Sequence, residues 1–75
     1  MKTIVVYVDN TDDQACEILE KEYSSLEKAY VPEEGKCIVV YSEIEHDHVE
    51  FKVTEVRALV DREFDHFDVL LERTN

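Results

Sequence analysis

The chain has 75 residues and carries 19 acidic side chains against eight lysines and arginines, which gives a formal net charge of −11. This length is enough for one small domain, spanning residues 1–75, whose core provides only marginal stability. The negative charge repels phosphate backbones and anionic lipids, so the composition disfavours direct binding to nucleic acid or to a membrane surface.

The first predicted element is a strand from Thr3 to Asp9. Its residues are β-branched, aromatic or apolar on both faces, which is typical of a central strand in a sheet. The polar run that begins at Asp9 ends this strand.

The stretch from Asn10 to Tyr30 predicts an amphipathic helix with one buried face. Apolar residues recur there at intervals of three and four, which is the spacing of one helix face; they are Cys16, Leu19, Tyr23, Leu26 and Tyr30. Thr11 followed by Gln14 matches a capping box at the start of such a helix. The opposite side of the helix carries an acidic stripe, formed by Asp13, Glu17, Glu20 and Glu27.

The second half of the chain predicts a hairpin. Pro32 and Gly35 end the helix, and strands at 36–45 and 49–54 follow, joined by a polar loop. The segment 55–66 has two interpretations. Its apolar residues fit a second helix, but Val56, Ala58 and Val60 also fit a continuation of the strand, with a bulge near Glu55. A short last strand covers 67–71.

These elements predict an α+β fold with a ferredoxin-like β-α-β-β-α-β order, in which two helices cover one face of an antiparallel sheet. The alternative order is β-α-β-β-β, with one helix on a four-stranded antiparallel sheet. In the first arrangement Ile4, Val6 and Val8 point toward the helices. The open face then carries an apolar patch, which favours a protein interface; its residues are Val5, Tyr7, Val39, Tyr41 and Leu70.

Residues that could carry chemistry are few. His46 and His48 could hold a metal with a neighbouring carboxylate, but this spacing alone is a weak signal, so we expect no metal and no cofactor. The single glycine excludes a glycine-rich phosphate loop, and no serine lies in a nucleophile motif. We therefore expect no enzymatic activity. Cys16 and Cys37 have no metal-binding spacing and predict buried, reduced thiols in a cytoplasmic protein.

The acidic residues lead to the main functional hypothesis, a small protein that inhibits or regulates a nucleic-acid-handling partner. The helix stripe would occupy a basic groove of that partner, or the hairpin acids Glu43, Glu45, Asp47 and Glu50 would do so. The size, the acidic face and the missing catalytic motif resemble, in type, phage-encoded inhibitors such as anti-CRISPR proteins. That resemblance implies DNA mimicry in the host cytoplasm. The alternative is a homodimeric structural or regulatory module that associates through the open sheet face. A weaker third hypothesis is a metal-responsive module built on the hairpin histidines.

Overall fold

The computed structural model describes residues 2–74, and the regular structure of this part is almost entirely β. Its five strands are β1 (Lys2–Asp9), β2 (Cys16–Tyr23), β3 (Cys37–Ser42), β4 (Asp47–Val60) and β5 (Phe64–Arg73). The one helical segment among the described residues is a 3-10 turn at Leu26–Lys28. The fold is therefore all-β.

The five strands form one mixed sheet in the order β2-β1-β5-β4-β3. β1 and β5 are parallel, and the other three neighbouring pairs are antiparallel. The sheet curls into a half-barrel, which brings its two outermost strands close together at one point. There the Glu43 N–H donates a 2.9 Å hydrogen bond to the Ile18 carbonyl oxygen.

The inner face of the curled sheet forms the core. Its fully buried apolar side chains are Val5, Phe51, Val53, Val69 and Leu71, and Tyr7, Ile18 and Val40 pack with them at 4–6% exposure. Burial of apolar surface stabilises a fold by about 25 cal/mol per Å², so the packing of this shared inner face provides most of the stability of the strands. Half-buried side chains such as Ile38, Phe67 and Tyr23 extend the core toward the sheet margins.

The predicted helix from Asn10 to Tyr30 is wrong, because β2 occupies most of it. A β-bulge explains the error. β2 pairs Leu19 with Tyr7 and Glu17 with Val8, so that Ile18 is an extra, unpaired residue. Because of this extra residue, the inward-facing positions before and after Ile18 no longer follow one two-residue alternation. The apolar residues of β2 therefore recur at spacings that resemble those of a helix face. The capping box is absent too, since Thr11 donates both its N–H and its hydroxyl to Asp9 Oδ1.

The predicted second helix at 55–66 is also wrong. β4 continues to Val60 with a bulge between Val53 and Glu55, and it pairs with β5 along this length. Thr54 caps no helix; its hydroxyl donates to the Leu70 carbonyl oxygen at 3.2 Å. The ferredoxin-like order is therefore wrong. The one-helix alternative is wrong as well: the bulged long strand that it contains is present, but its helix is not.

The predicted assignment of faces is wrong for β1. Val5 and Tyr7 point into the core, and Ile4, Val6 and Val8 point to the other face of the sheet. Alternation could not decide between the two faces, because every position from Ile4 to Val8 is apolar or aromatic. The predicted burial of the cysteines is wrong too, because Cys16 and Cys37 are both exposed free thiols.

Candidate protein-binding site

The topology gathers carboxylates at one end of the half-barrel, which we call the acidic end. Because β1, β3 and β5 run in one direction and β2 and β4 in the other, the β1–β2 connection (10–15) and the β3–β4 loop (43–46) lie at the same end. The hydrogen bond from Glu43 to Ile18 joins the loop to β2. The acids of this end are Asp9, Asp12, Asp13, Glu43, Glu45 and Asp47.

Among residues 2–74, Arg73 is the one lysine or arginine that forms ion pairs with acids of this end. Lys52 lies beside it and lines the same surface hollow. The remaining lysines and arginines are Lys2, Lys21, Lys28, Lys36, Arg57 and Arg62. One ion-paired cation against six carboxylates leaves a negative potential at this end. This segregation cannot be seen in the net charge alone.

Arg73 ties the two acidic loops together. Its guanidinium donates to Asp9 Oδ2 at 3.3 Å and to Glu45 Oε2 at 2.6 Å, and its backbone N–H donates to the Thr11 hydroxyl. The guanidinium also lies 5.9 Å from the centre of the Phe51 ring. Partial burial raises the pKa of Asp9, but hydrogen bonds from Thr11 and Arg73 outweigh it and leave that pKa below its ordinary value.

The four acidic residues of the predicted helix stripe lie in three different parts of the structure. Glu17 and Glu20 both point outward from β2, opposite Val8 and Val6. Asp13 lies in the β1–β2 connection with a positive φ of 59°, and Glu27 lies in the 3-10 turn toward the opposite end. Asp13 therefore belongs to the acidic end and Glu17 adjoins it, whereas Glu20 lies in the middle of β2 and Glu27 lies away from that end.

The predicted hairpin acids lie at or beside the acidic end, and two of them hold local structure. Asp47 accepts the N–H of His48 at 2.8 Å, and Glu50 accepts the hydroxyl of Thr74 at 2.8 Å. Glu43 is exposed and contributes its backbone N–H to the contact with β2. Two acidic surfaces that the sequence suggested as separate candidates thus adjoin each other.

A second feature, which the sequence did not reveal, is a cleft lined by tyrosines. It has a volume of about 410 Å³ and runs between β2 and β3, the two outermost strands of the sheet. All four tyrosines of the chain line it: Tyr7, Tyr23, Tyr30 and Tyr41. They come from three strands and a loop, so only the curl of the sheet brings them together. Lys21 is the one charged residue among its lining residues.

The tyrosine cleft is partly screened from water. Burial raises the pKa of Tyr7 to about 12, with further contributions from the neighbouring Tyr23 and Tyr30 hydroxyls. Tyr41 is 39% exposed, and its ring meets the His48 ring edge to face with centroids 5.3 Å apart. Clefts that combine aromatic rings with polar tips are common anchoring sites in protein interfaces, because tyrosine buries a large area with little loss of side-chain freedom.

The predicted apolar patch is not one continuous surface. Val5 and Tyr7 lie in the core, whereas Val39, Tyr41 and Leu70 lie on outward-facing positions of β3 and β5. Tyr7 and Tyr41 do share the tyrosine cleft, however, which is also lined by Val39, a residue that is 63% exposed.

The hairpin histidines do not form a cluster with other metal ligands. His46 lies in the β3–β4 turn with a positive φ of 56°, and the His48 ring packs against Tyr41. Within residues 2–74, no group of three or more His, Cys, Asp or Glu side chains could hold a metal ion. The same part of the chain contains no helix that is long and apolar enough to cross a membrane.

No protein-family model, curated protein or solved structure matches this chain. A functional proposal therefore rests on the fold, the acidic end and the tyrosine cleft.

Proposed function

We propose that this protein is a small, non-enzymatic binding protein that inhibits or regulates a nucleic-acid-handling partner by occupying a basic surface of that partner. The observation that carries the proposal is the segregation of charge, with six carboxylates and one ion-paired arginine at the acidic end. The carboxylates would take the positions of phosphates in the partner's basic groove.

The acidic end suits the capture of a basic surface. Four of its carboxylates come from two exposed connections, and Glu17 and Glu20 extend the negative potential along the outer face of β2. A field of one sign accelerates association with an oppositely charged partner and selects against acidic competitors. It does not by itself provide high affinity, which requires buried anchors.

The tyrosine cleft supplies a place for such anchors next to the acidic end. The cleft begins at Leu19, one residue beyond the contact between Ile18 and Glu43, and continues toward Tyr23 and Tyr30. An extended segment of the partner could therefore place basic side chains at the acidic end and apolar side chains in the cleft. In this arrangement charge sets the association rate, and the cleft sets the dissociation rate.

The test begins with capture of the partner from host lysate on the immobilised protein, followed by binding kinetics with the purified partner. Reversal of Asp12 and Glu43 to lysine should slow association by about tenfold or more at low salt. The matched control reverses Glu27 and Glu63, which are exposed near the opposite end. Binding should also compete with double-stranded DNA or RNA.

Salt separates phosphate mimicry from contact through the cleft alone. Affinity should fall as salt rises, because the Debye length shortens from about 10 Å at 0.1 M to about 3 Å at 1 M. Binding that is independent of salt, indifferent to the Asp12 and Glu43 reversals and unaffected by nucleic acid would refute the proposal.

A further inference from the structure

The last part of β4 has a free edge. β3 pairs with β4 only along residues 47–52, and the loop before β3 extends this pairing to Val53. From Val56 to Val60, β4 is paired on one side with β5, and within the described chain no strand covers its other side. The edge residues 57–60 are all exposed.

The alternation of the strand shows to which side each backbone N–H and C=O group points. The Val56 N–H points to the free side, where it donates to Glu34 Oε1 at 3.1 Å. Since successive residues of a strand point their N–H and C=O groups to opposite sides, those of Ala58 and Val60 also point to the free side. The Glu34 side chain therefore protects the first position of the edge, and the next two positions are open.

The side chains of the free edge are unusually apolar for an unpaired strand. Leu59 is 58% exposed and Val60 is 86% exposed, and Ala58 lies between Leu59 and Arg57. Native proteins normally shield such edges with a charge, a proline or a bulge at the exposed positions. The bulge in β4 lies earlier, between Val53 and Glu55, so the pairing from Glu55 to Val60 contains no bulge.

We propose that the free edge of β4 pairs antiparallel with the same edge of a second copy of the chain, around a two-fold axis at Leu59. The inference concerns self-association and does not depend on the proposed basic partner. The pairing would join two five-stranded sheets into one continuous sheet. Its short length indicates a weak dimer that dissociates in the micromolar range.

Charge favours this register over the one with its axis at Ala58. With the axis at Leu59, Arg57 stands opposite Asp61 of the second copy on the same face, twice per dimer. With the axis at Ala58, Glu55 would face Asp61 instead. Opposite charges across a strand pair stabilise it, and like charges destabilise it. The Leu59 register also satisfies the outward backbone groups of the two residues that flank the axis.

The first test uses charge exchange and sedimentation analysis. Asp61→Arg and Arg57→Asp should each weaken the dimer by about tenfold, because each replaces two attractive pairs with two repulsive ones. A mixture of the two variants should recover a heterodimer, since both cross-strand pairs then join a guanidinium to a carboxylate again. The Asp61→Arg variant gives the stronger evidence because it lowers the net negative charge of each copy. If only the general repulsion between copies mattered, this variant would associate more strongly than the wild type, not more weakly.

The second test reads the register directly. In a background with Cys16 and Cys37 replaced by serine, Leu59→Cys should form a disulfide-linked dimer on mild oxidation. A non-hydrogen-bonded pair places its Cα atoms about 4.5 Å apart, within disulfide range. Val60→Cys is the matched control: it is more exposed but lies opposite Ala58, so it should cross-link poorly.

The outcomes that would overturn the proposal are specific. A wild-type protein that remains monomeric at millimolar concentration excludes the dimer. A dimer that tolerates both charge reversals, or that cross-links faster through Val60→Cys than through Leu59→Cys, excludes this edge and register. Circular dichroism melts of each variant at low concentration identify any loss of association that comes from unfolding.

Discussion

At the scale of single residues, the contact between Asp9 and Arg73 is the one that fixes the acidic end. The Asp9 side chain is 15% exposed and accepts hydrogen bonds from the Thr11 N–H, the Thr11 hydroxyl and Arg73. The two partners of this ion pair are 64 residues apart in the chain. The sequence predicted the turn after Asp9, but it could not predict that Arg73 returns to the same place, because that requires the parallel pairing of β1 with β5.

We expect Asp9→Asn to lower the free energy of unfolding at pH 7 by about 1–2 kcal/mol, because hydrogen bonds to a carboxylate are weakened or lost. The pKa of Asp9 in the folded protein lies below its ordinary value. Its stabilising contribution is therefore fully present above the unfolded pKa of about 3.9 and disappears as pH falls through the folded pKa. Urea unfolding at pH 7 and in strong acid should show a difference between variant and wild type only at the higher pH.

The control for this prediction is Asp12→Asn, which changes an exposed carboxylate of the same connection. We expect its effect to stay within about 0.5 kcal/mol. Equal losses for the two variants, or a loss for Asp9→Asn that persists in strong acid, would contradict the role of the Asp9–Arg73 contact.

At the scale of elements, β2 shows where prediction from sequence pattern failed. The residues Cys16–Tyr23 contain both a helical and a strand pattern, and a single bulge at Ile18 makes the strand pattern look helical. A bulge is decided by the partner strand, so the sequence of β2 alone could not reveal it. In contrast, β3 and the first half of β4 alternate without interruption, so their hairpin was predictable, although the predicted strand 36–45 extends three residues past the end of β3.

The bulged strand and the predicted helix give opposite expectations for Cys16. In a helix from 10 to 30, Cys16 would lie on the buried face. In the structure Cys16 is exposed, whereas Ile18 is 4% exposed and its carbonyl holds Glu43. Ile18→Ala should therefore cost about 2–4 kcal/mol of unfolding free energy, and Cys16→Ala should cost less than about 0.5 kcal/mol, both measured by urea denaturation.

A large loss for Cys16→Ala would favour the helix and contradict the bulged strand. Far-ultraviolet circular dichroism of the wild-type protein provides an independent check. It should show a β spectrum without the double minimum of an α-helix.

At the scale of the whole molecule, curvature creates features that no local pattern contains. The tyrosine cleft depends on four residues that meet only because β2 and β3 approach each other across the open side of the half-barrel. The acidic end likewise depends on strand direction, since it joins the connection 10–15 to the loop 43–46. The sequence predicted exposed acidic surfaces at Glu17, Glu20 and Glu43, but it did not predict that β2 and the β3–β4 loop meet beside Glu17 and Glu43.

The segregation of charge also has a consequence for stability. Carboxylates crowded at one end repel one another in the folded state more than in the unfolded chain. Glu43→Lys should therefore raise the melting temperature at low salt by about 2–4 °C. Glu27→Lys makes the same charge change beside Lys28, away from the acidic end, and should give a smaller gain. Thermal melts at increasing NaCl should show the difference between the two variants vanish as screening grows.

The two effects of Glu43→Lys together distinguish a functional cluster from an incidental one. If the acidic end serves binding, the variant should gain stability and lose affinity for the captured partner. The reason is that the carboxylates that bind the partner also repel one another and so lower the stability of the fold. If the acids serve only solubility, the variant should gain stability with no change in association rate. A variant that loses stability at low salt would show that the repulsion is not concentrated at this end, and would remove the electrostatic basis of the proposed function.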